Sequence, residues 1–160
     1  MDLTLYRRTE QVTIEASPEQ VYELVADVSR MGEWSPVCTG GEYDATDPSW
    51  FTGHNAIESM QWSTRCHVVV ADRGREFAFI NCGPDGVREL VRWGFILQPS
   101  TAGGTEVTQS WEVLPGYEER FKAEGRSDEL VDRLDFMKGL AEEGMPATLD
   151  QIRSAAESVA

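Results

Sequence analysis

Glu89 alternates with Val91, Trp93, Phe95 and Leu97 in a stretch bounded by turn residues, so an extended backbone sets its carboxyl on the same face as two aromatic rings. Desolvation by such a face raises a carboxyl pKa, which prepares the group as a general acid or a proton-accepting base. Glu89 is therefore the best candidate for a catalytic residue. The same alternation puts Thr64 and Cys66 on one face with Trp62, Asn55 with Phe51, Asn81 with Phe77 and Phe79, and Gln109 with Trp111. Five polar residues, Asn55, Thr64, Asn81, Glu89 and Gln109, thus fall on otherwise apolar faces. An unpartnered buried polar group costs about 1–3 kcal/mol, so the set points to water, a ligand or a bonded internal network.

Other chemistries find less support. His54 and His67 fall on the opposite face of a hairpin turning at residues 59–61, where the pairing that opposes Ile57 to Trp62 sets His54 against Arg65. Two imidazoles beside a guanidinium, with no carboxylate to complete the set, describe surface histidines, and no metal is expected. Cys38, Cys66 and Cys82 are odd in number and lack CxxC spacing, which fits buried inert thiols in a reducing compartment. No histidine shares the face of Cys66, so a Cys/His nucleophile is unsupported. GxSxG, GxGxxG and P-loop patterns are missing, and no cofactor is implied.

The elements that must hold these side chains are legible in the spacing. Val12 and Ile14 alternate in a strand over residues 9–15, followed by Ser17-Pro18-Glu19-Gln20, a capping box with proline at the first helical position. Val21, Leu24, Val25 and Val28 then recur at helical spacing, predicting a helix over 17–27 and a short second turn to residue 33. Between residues 40 and 114 the period changes to two, with turn chemistry at 47–49, 59–61, 72–74, 83–86 and 102–104. The predicted strands are 40–45, 51–58, 62–71, 75–81, 87–98 and 104–114. From Leu130 to Val159 apolar residues step by three or four, describing one amphipathic helix over 127–158, with Ser127 as cap and a kink or break at Gly144 and Pro146. Strand, helix pair, meander and terminal helix make an α+β layout: a seven-stranded curved antiparallel sheet wrapped around a long C-terminal helix.

The chain resembles the START-related helix-grip superfamily, in its polyketide cyclase/dehydrase-like bacterial branch. The resemblance is carried by Ile14 to Asp27, by Met31-Gly32-Glu33-Trp34-Ser35-Pro36 and by Phe51-Thr52-Gly53-His54-Asn55. Gly74 to Phe79, Gly104 to Glu112 and Gly144-Met145-Pro146-Ala147-Thr148-Leu149 complete it. It implies a cavity between sheet and terminal helix that takes a hydrophobic, lipid or polyketide-like small molecule; only some members are enzymes. The residues expected to line the cavity are Phe51, Asn55, Trp62, Thr64, Cys66, Phe77, Phe79, Asn81, Glu89, Val91, Trp93, Phe95, Gln109 and Trp111 from the sheet, answered by Met137, Leu140 and Met145 from the helix. Tyr117 and Phe121, interleaved in a charged run before that helix, are expected as a lid over the cavity mouth.

Size and charge narrow the partners. At 160 residues the chain is read as one domain with a core that needs no staple. Fourteen basic against 28 acidic residues, net −14, repel phosphate backbones and anionic lipid, so nucleic acid and membrane insertion are not expected. The start, Met1-Asp2-Leu3-Thr4-Leu5-Tyr6-Arg7-Arg8, lacks the apolar run of a signal peptide, and a cytoplasmic location follows as the expectation. The expected partner is a hydrophobic small molecule, with a second copy of the chain as a further candidate. The function implied is ligand binding. The alternatives are an aromatase/cyclase or dehydratase moving protons through inward polar residues, and an interaction module whose cavity is filled by its own side chains.

Overall fold

Ser17 caps the first helix as its spacing predicts: its Oγ accepts from the Gln20 amide at 3.2 Å while Gln20 Oε1 accepts from the Ser17 amide at 3.0 Å. Both orphan donors are thereby satisfied, and Pro18 sits where no donor is needed. The protein, described here over residues 1–158 of a computed structural model, places this helix, α1 (Pro18–Val25), after strand β1 (Arg7–Ile14). A 3-10 helix, Val28–Glu33, follows it. The remaining strands are β2 (Cys38–Tyr43), β3 (Trp50–Ile57), β4 (Met60–Asp72), β5 (Glu76–Asn81), β6 (Val91–Pro99) and β7 (Thr105–Val113). Helix α2 (Pro115–Ala123) and the long helix α3 (Leu130–Glu157) complete the α+β helix-grip architecture. Val159, counted in the terminal apolar stripe, lies outside the described residues.

One seven-stranded antiparallel sheet runs β1-β7-β6-β5-β4-β3-β2. The meander pairs neighbours in sequence, and β1 closes against the last strand. Two details of register differ from expectation. The β3–β4 hairpin turns on two residues, Glu58 and Ser59, with Glu58 at φ 54°. It therefore opposes Ile57 to Met60 and His54 to Ser63, not Ile57 to Trp62 and His54 to Arg65. Because that slip is two residues, every side chain keeps its face. A bulge between Val68 and Val70 has the opposite effect: Val70 pairs with Ala78 and leaves the face shared by Cys66 and Phe79.

Strand β6 starts at Val91, four residues later than the strand predicted from residue 87. Leu90 and Val91 are consecutive and both buried, so strict alternation does not extend back past Val91. The segment before them folds against the start of α2, where Gly116 approaches so closely that a Cβ on it would lie 2.2 Å from the Glu89 carbonyl oxygen.

Helix α3 is continuous through Gly144 and Pro146, so the expected break does not occur. Pro146 is on the solvent face with Glu142 and Glu143, so the carbonyl deprived of its N–H donor is turned toward water. Ser127 does not cap α3 but opens a 3-10 turn, Ser127–Glu129, that leads into it. The charged run before it forms the helix α2, whose Phe121 is buried.

The core divides into two clusters along α3. Leu149, Ile152 and Ala156 pack with α1 and the inner residues Ile14, Phe77, Leu97 and Val107. Leu130, Leu134, Ala141 and Met145 pack with Tyr6, Leu90, Val113 and Phe121. At the second of these the Tyr6 hydroxyl donates to Asp135 Oδ1 at 2.8 Å, tying the N-terminal segment to the helix. Ile152→Ala removes atoms from a fully buried position and is expected to lower unfolding free energy by about 2–5 kcal/mol in a urea titration, while Phe136→Ala, on the exposed face, stays within about 0.5 kcal/mol.

Candidate functional site

Between its two anchored ends, α3 crosses a cavity of about 240 Å³. Met137, Leu140, Ala141, Gly144, Met145 and Thr148 form the helical side. The sheet contributes Phe51, Gly53 and Asn55 from β3, Trp62, Thr64 and Cys66 from β4, Phe79 and Asn81 from β5, Val91, Trp93 and Phe95 from β6, and Gln109 and Trp111 from β7. Pleating explains the set, since these residues occupy every second position on their strands and the register aligns them: Phe79 beside Trp93, Trp93 beside Trp111, and Phe95 beside Gln109. The lining is thus continuous across five strands.

Of the residues expected to line the cavity, two are placed elsewhere. Phe77 is fully buried in the core cluster with Tyr22, whose ring meets it edge-on at 6.2 Å between centroids. Glu89 is exposed on the segment before β6, outside the cavity. Its expected inward orientation is corrected by the irregular backbone at Leu90, and with it goes the expected carboxyl in an apolar enclosure. Tyr117 and Phe121, expected as a lid, are not among the lining residues. Their rings stack at 5.5 Å, and Phe121 is held in the second core cluster with the Arg126 guanidinium 4.8 Å above its ring.

One wall was not anticipated. Met31, Trp34, Ser35, Pro36, Val37 and Cys38 close the side facing α3. Ser35 shapes this loop by accepting from the Val37 and Cys38 amides at 3.2 and 2.8 Å. Gly144 lets the helix approach it, for a Cβ there would stand 3.2 Å from Pro36 Cγ. The Trp34-Ser35-Pro36 run, an aromatic and a proline ending an apolar helical stripe, was the available signal.

The polar side chains of the lining are all neutral. Thr64 Oγ1 accepts from Asn55 Nδ2 at 3.4 Å and lies 3.8 Å from Cys66 Sγ. Asn81 Oδ1 accepts from the Gly83 amide at 2.8 Å, so part of its hydrogen bonding is spent on the turn. Gln109 is buried, and its Oε1 has no hydrogen-bond partner among the described residues. Burial pushes the Cys66 thiol up to about 12 and raises that of Cys38. Neither is a thiolate at neutral pH.

On the outer face, His54 bonds Ser63 Oγ through Nδ1 at 2.9 Å and Glu42 Oε2 through Nε2 at 2.8 Å. Glu42 supplies a carboxylate that the expected pairing of His54 with Arg65 does not include. Hydroxyl, imidazole and carboxylate stand in triad order, but on a flat strand surface rather than at a turn or helix start that presents paired amides to an oxyanion. His67 stacks on Trp50 with 4.6 Å between centroids. Among the described residues no group of three or more His, Cys, Asp or Glu side chains is placed to hold a metal ion, and no helix is long and apolar enough to cross a membrane.

A family model described as polyketide cyclase / dehydrase and lipid transport matches residues 7–157, and the chain belongs to that family. No curated protein matches it. Among solved structures, it is similar to a Polyketide_cyc-like protein from Corynebacterium glutamicum, with 33% identity over 95% of this chain and 91% of that one and a TM-score of 0.66. A START superfamily protein from Mycobacterium smegmatis shares the fold at 16% identity, over 96% of this chain and 99% of that one, with a TM-score of 0.68. The di-domain ARO/CYC of the steffimycin biosynthetic pathway shares it at 11% identity, over 96% of this chain and 51% of that one, also with a TM-score of 0.68.

The raised thiol and phenol groups have a measurable consequence. Burial raises Cys66 from 9.0 to about 12 and Tyr43 from 10.0 to about 12, so each binds its proton more tightly in the folded state. Their stabilisation is complete below pH 9 and is lost as pH rises from about 9 to about 12. Urea midpoints measured across that range are expected to fall. Iodoacetamide at pH 8 is expected to leave Cys66 unmodified in the folded protein and to label it in urea, as read by peptide mass.

Proposed function

We propose that the protein binds a hydrophobic small molecule, of the polyketide or lipid class, in the cavity between its sheet and α3. The observation that carries this reading is the unfilled space of about 240 Å³ lined by Trp62, Trp93, Trp111, Phe51, Phe79 and Phe95. Pockets of this kind gain affinity from apolar burial and orientation from a few polar groups, here Asn55, Thr64, Asn81 and Gln109. The space also weighs against an interaction module with a side-chain-filled interior.

Cyclase and dehydratase chemistry requires a group that gives or takes a proton near neutral pH. Among the described residues the lining holds no carboxylate, imidazole, amine or guanidinium, and its thiols are held protonated by burial. Binding without proton transfer is therefore favoured over the enzymatic alternative. Membership of a family whose description joins polyketide cyclases with lipid transport supports the ligand class.

Native mass spectrometry of freshly purified protein is expected to show a stoichiometric adduct, released on denaturation. A clean mass, together with no quenching of tryptophan fluorescence by naphthalene-class probes, would sink the proposal. Ala141→Phe, which projects a ring from α3 into the space, should abolish probe binding while circular dichroism stays native. Trp93→Ala should weaken binding about tenfold. Glu89→Gln, outside the cavity, should change probe affinity by less than about twofold.

A further inference from the structure

Asn81 ends β5 on the inner row of the sheet, opposite Cys66 on β4 and Val91 on β6, and its half-buried side chain is part of the cavity wall. Chemistry fixes which way its amide points. A backbone N–H only donates, so the atom 2.8 Å from the Gly83 amide is Oδ1, and the other end is the NH2 group. Nδ2 makes no hydrogen bond among the described residues, yet it keeps accessible surface, unlike the enclosed Oε1 of Gln109. Its protons are left to whatever occupies the cavity.

We propose that Asn81 orients the bound molecule, donating from Nδ2 to a neutral carbonyl oxygen carried on an aromatic ring system. The inference rests on the binding reading of the preceding section and adds which polar group the ligand carries and where that group lies. The sign of the contact follows from the side chain: an NH2 group only donates, so the ligand atom must accept. A carboxylate is disfavoured, because no described residue of the lining supplies an ammonium or guanidinium to compensate a buried charge. A hydroxyl oxygen also accepts, but it brings a proton of its own, and the Asn81 oxygen is already committed to Gly83. A ketone asks for nothing in return. Position follows from the pleat. Phe79 is the preceding residue on this face, roughly 7 Å back along the strand, and Trp93 stands beside it on β6. A bicyclic ring laid on those two side chains brings an edge carbonyl to Asn81.

The test compares 2-acetonaphthone with 2-ethylnaphthalene, which keeps the ring and lacks the carbonyl, each titrated against tryptophan fluorescence in the wild-type protein and in Asn81→Asp. That substitution keeps size and an acceptor for the Gly83 amide while exchanging the NH2 donor for an oxygen. The ratio of the two affinities is expected to shift about tenfold against the ketone in Asn81→Asp. A merely structural role for Asn81 weakens both probes alike and leaves the ratio unchanged, and that result overturns the proposal. The second measurement is made on isotope-labelled wild type: a side-chain amide proton of Asn81 is expected to move downfield with 2-acetonaphthone and not with 2-ethylnaphthalene. The same response to both probes overturns the role of Asn81, even where the variant does not fold, and leaves cavity binding standing. Failure of both probes to bind wild type overturns the binding reading itself.

Discussion

The structure depends on how one helix is fixed at both ends. Leu130 and Leu134 anchor the start of α3 in the cluster of Tyr6, Leu90, Val113 and Phe121, and Leu149, Ile152 and Ala156 anchor its end against β1, α1 and the inner sheet. The middle of the helix, from Met137 to Thr148, lies over the concave sheet without filling it. A helix is stiff over these few turns and cannot sag into the gap, so burial at the two ends keeps a space open between them. The cavity follows from the anchoring rather than from any one lining residue.

The packed core and the cavity wall share residues, since Phe51, Cys66, Phe95, Trp111, Ala141 and Met145 belong both to the two clusters and to the lining. The α3 residues at the two anchored ends are aliphatic or small, whereas the cavity wall is rich in aromatic rings and carries neutral amides, the hydroxyls of Ser35, Thr64 and Thr148, and protonated thiols. The chain's many carboxylates are directed elsewhere. Those of the ion pairs with Arg8, Arg65, Arg92, Arg120 and Arg126 lie at the surface or partly buried there, and none belongs to the cavity lining among the described residues. Net charge therefore says little about this site, which offers dispersion, shape and hydrogen bonding without charge.

Much of the site was legible because pleating is indifferent to small errors of position. The β3–β4 hairpin pairs two residues away from the expected register, yet Asn55, Trp62, Thr64 and Cys66 all remain on the inner face, since a slip of two preserves phase. Odd irregularities are less forgiving. The single-residue bulge turned Val70 away, and two consecutive buried residues at Leu90 and Val91 ended the alternation that had drawn Glu89 inward. Neither leaves a mark in composition, because bulges and buried turns form where distant segments press on the strand. For Glu89 that segment is the start of α2 at Gly116.

The sequence by itself determined the order of the strands and of the first and last helices, the faces of most strand positions, the capped first helix and the aromatic character of the inner wall. Each of these rests on local spacing or on neighbouring side chains. Helix α2 was not among the expected elements. Only the tertiary structure decided that Trp34 to Cys38 close the cavity, that α3 runs unbroken past Pro146, that Phe77 belongs to the core, and that Gln109 is left with an unmet acceptor. These are outcomes of packing between segments far apart in the chain. Whether a buried polar atom is satisfied depends on every group within about 3 Å of it, and no local pattern holds that information.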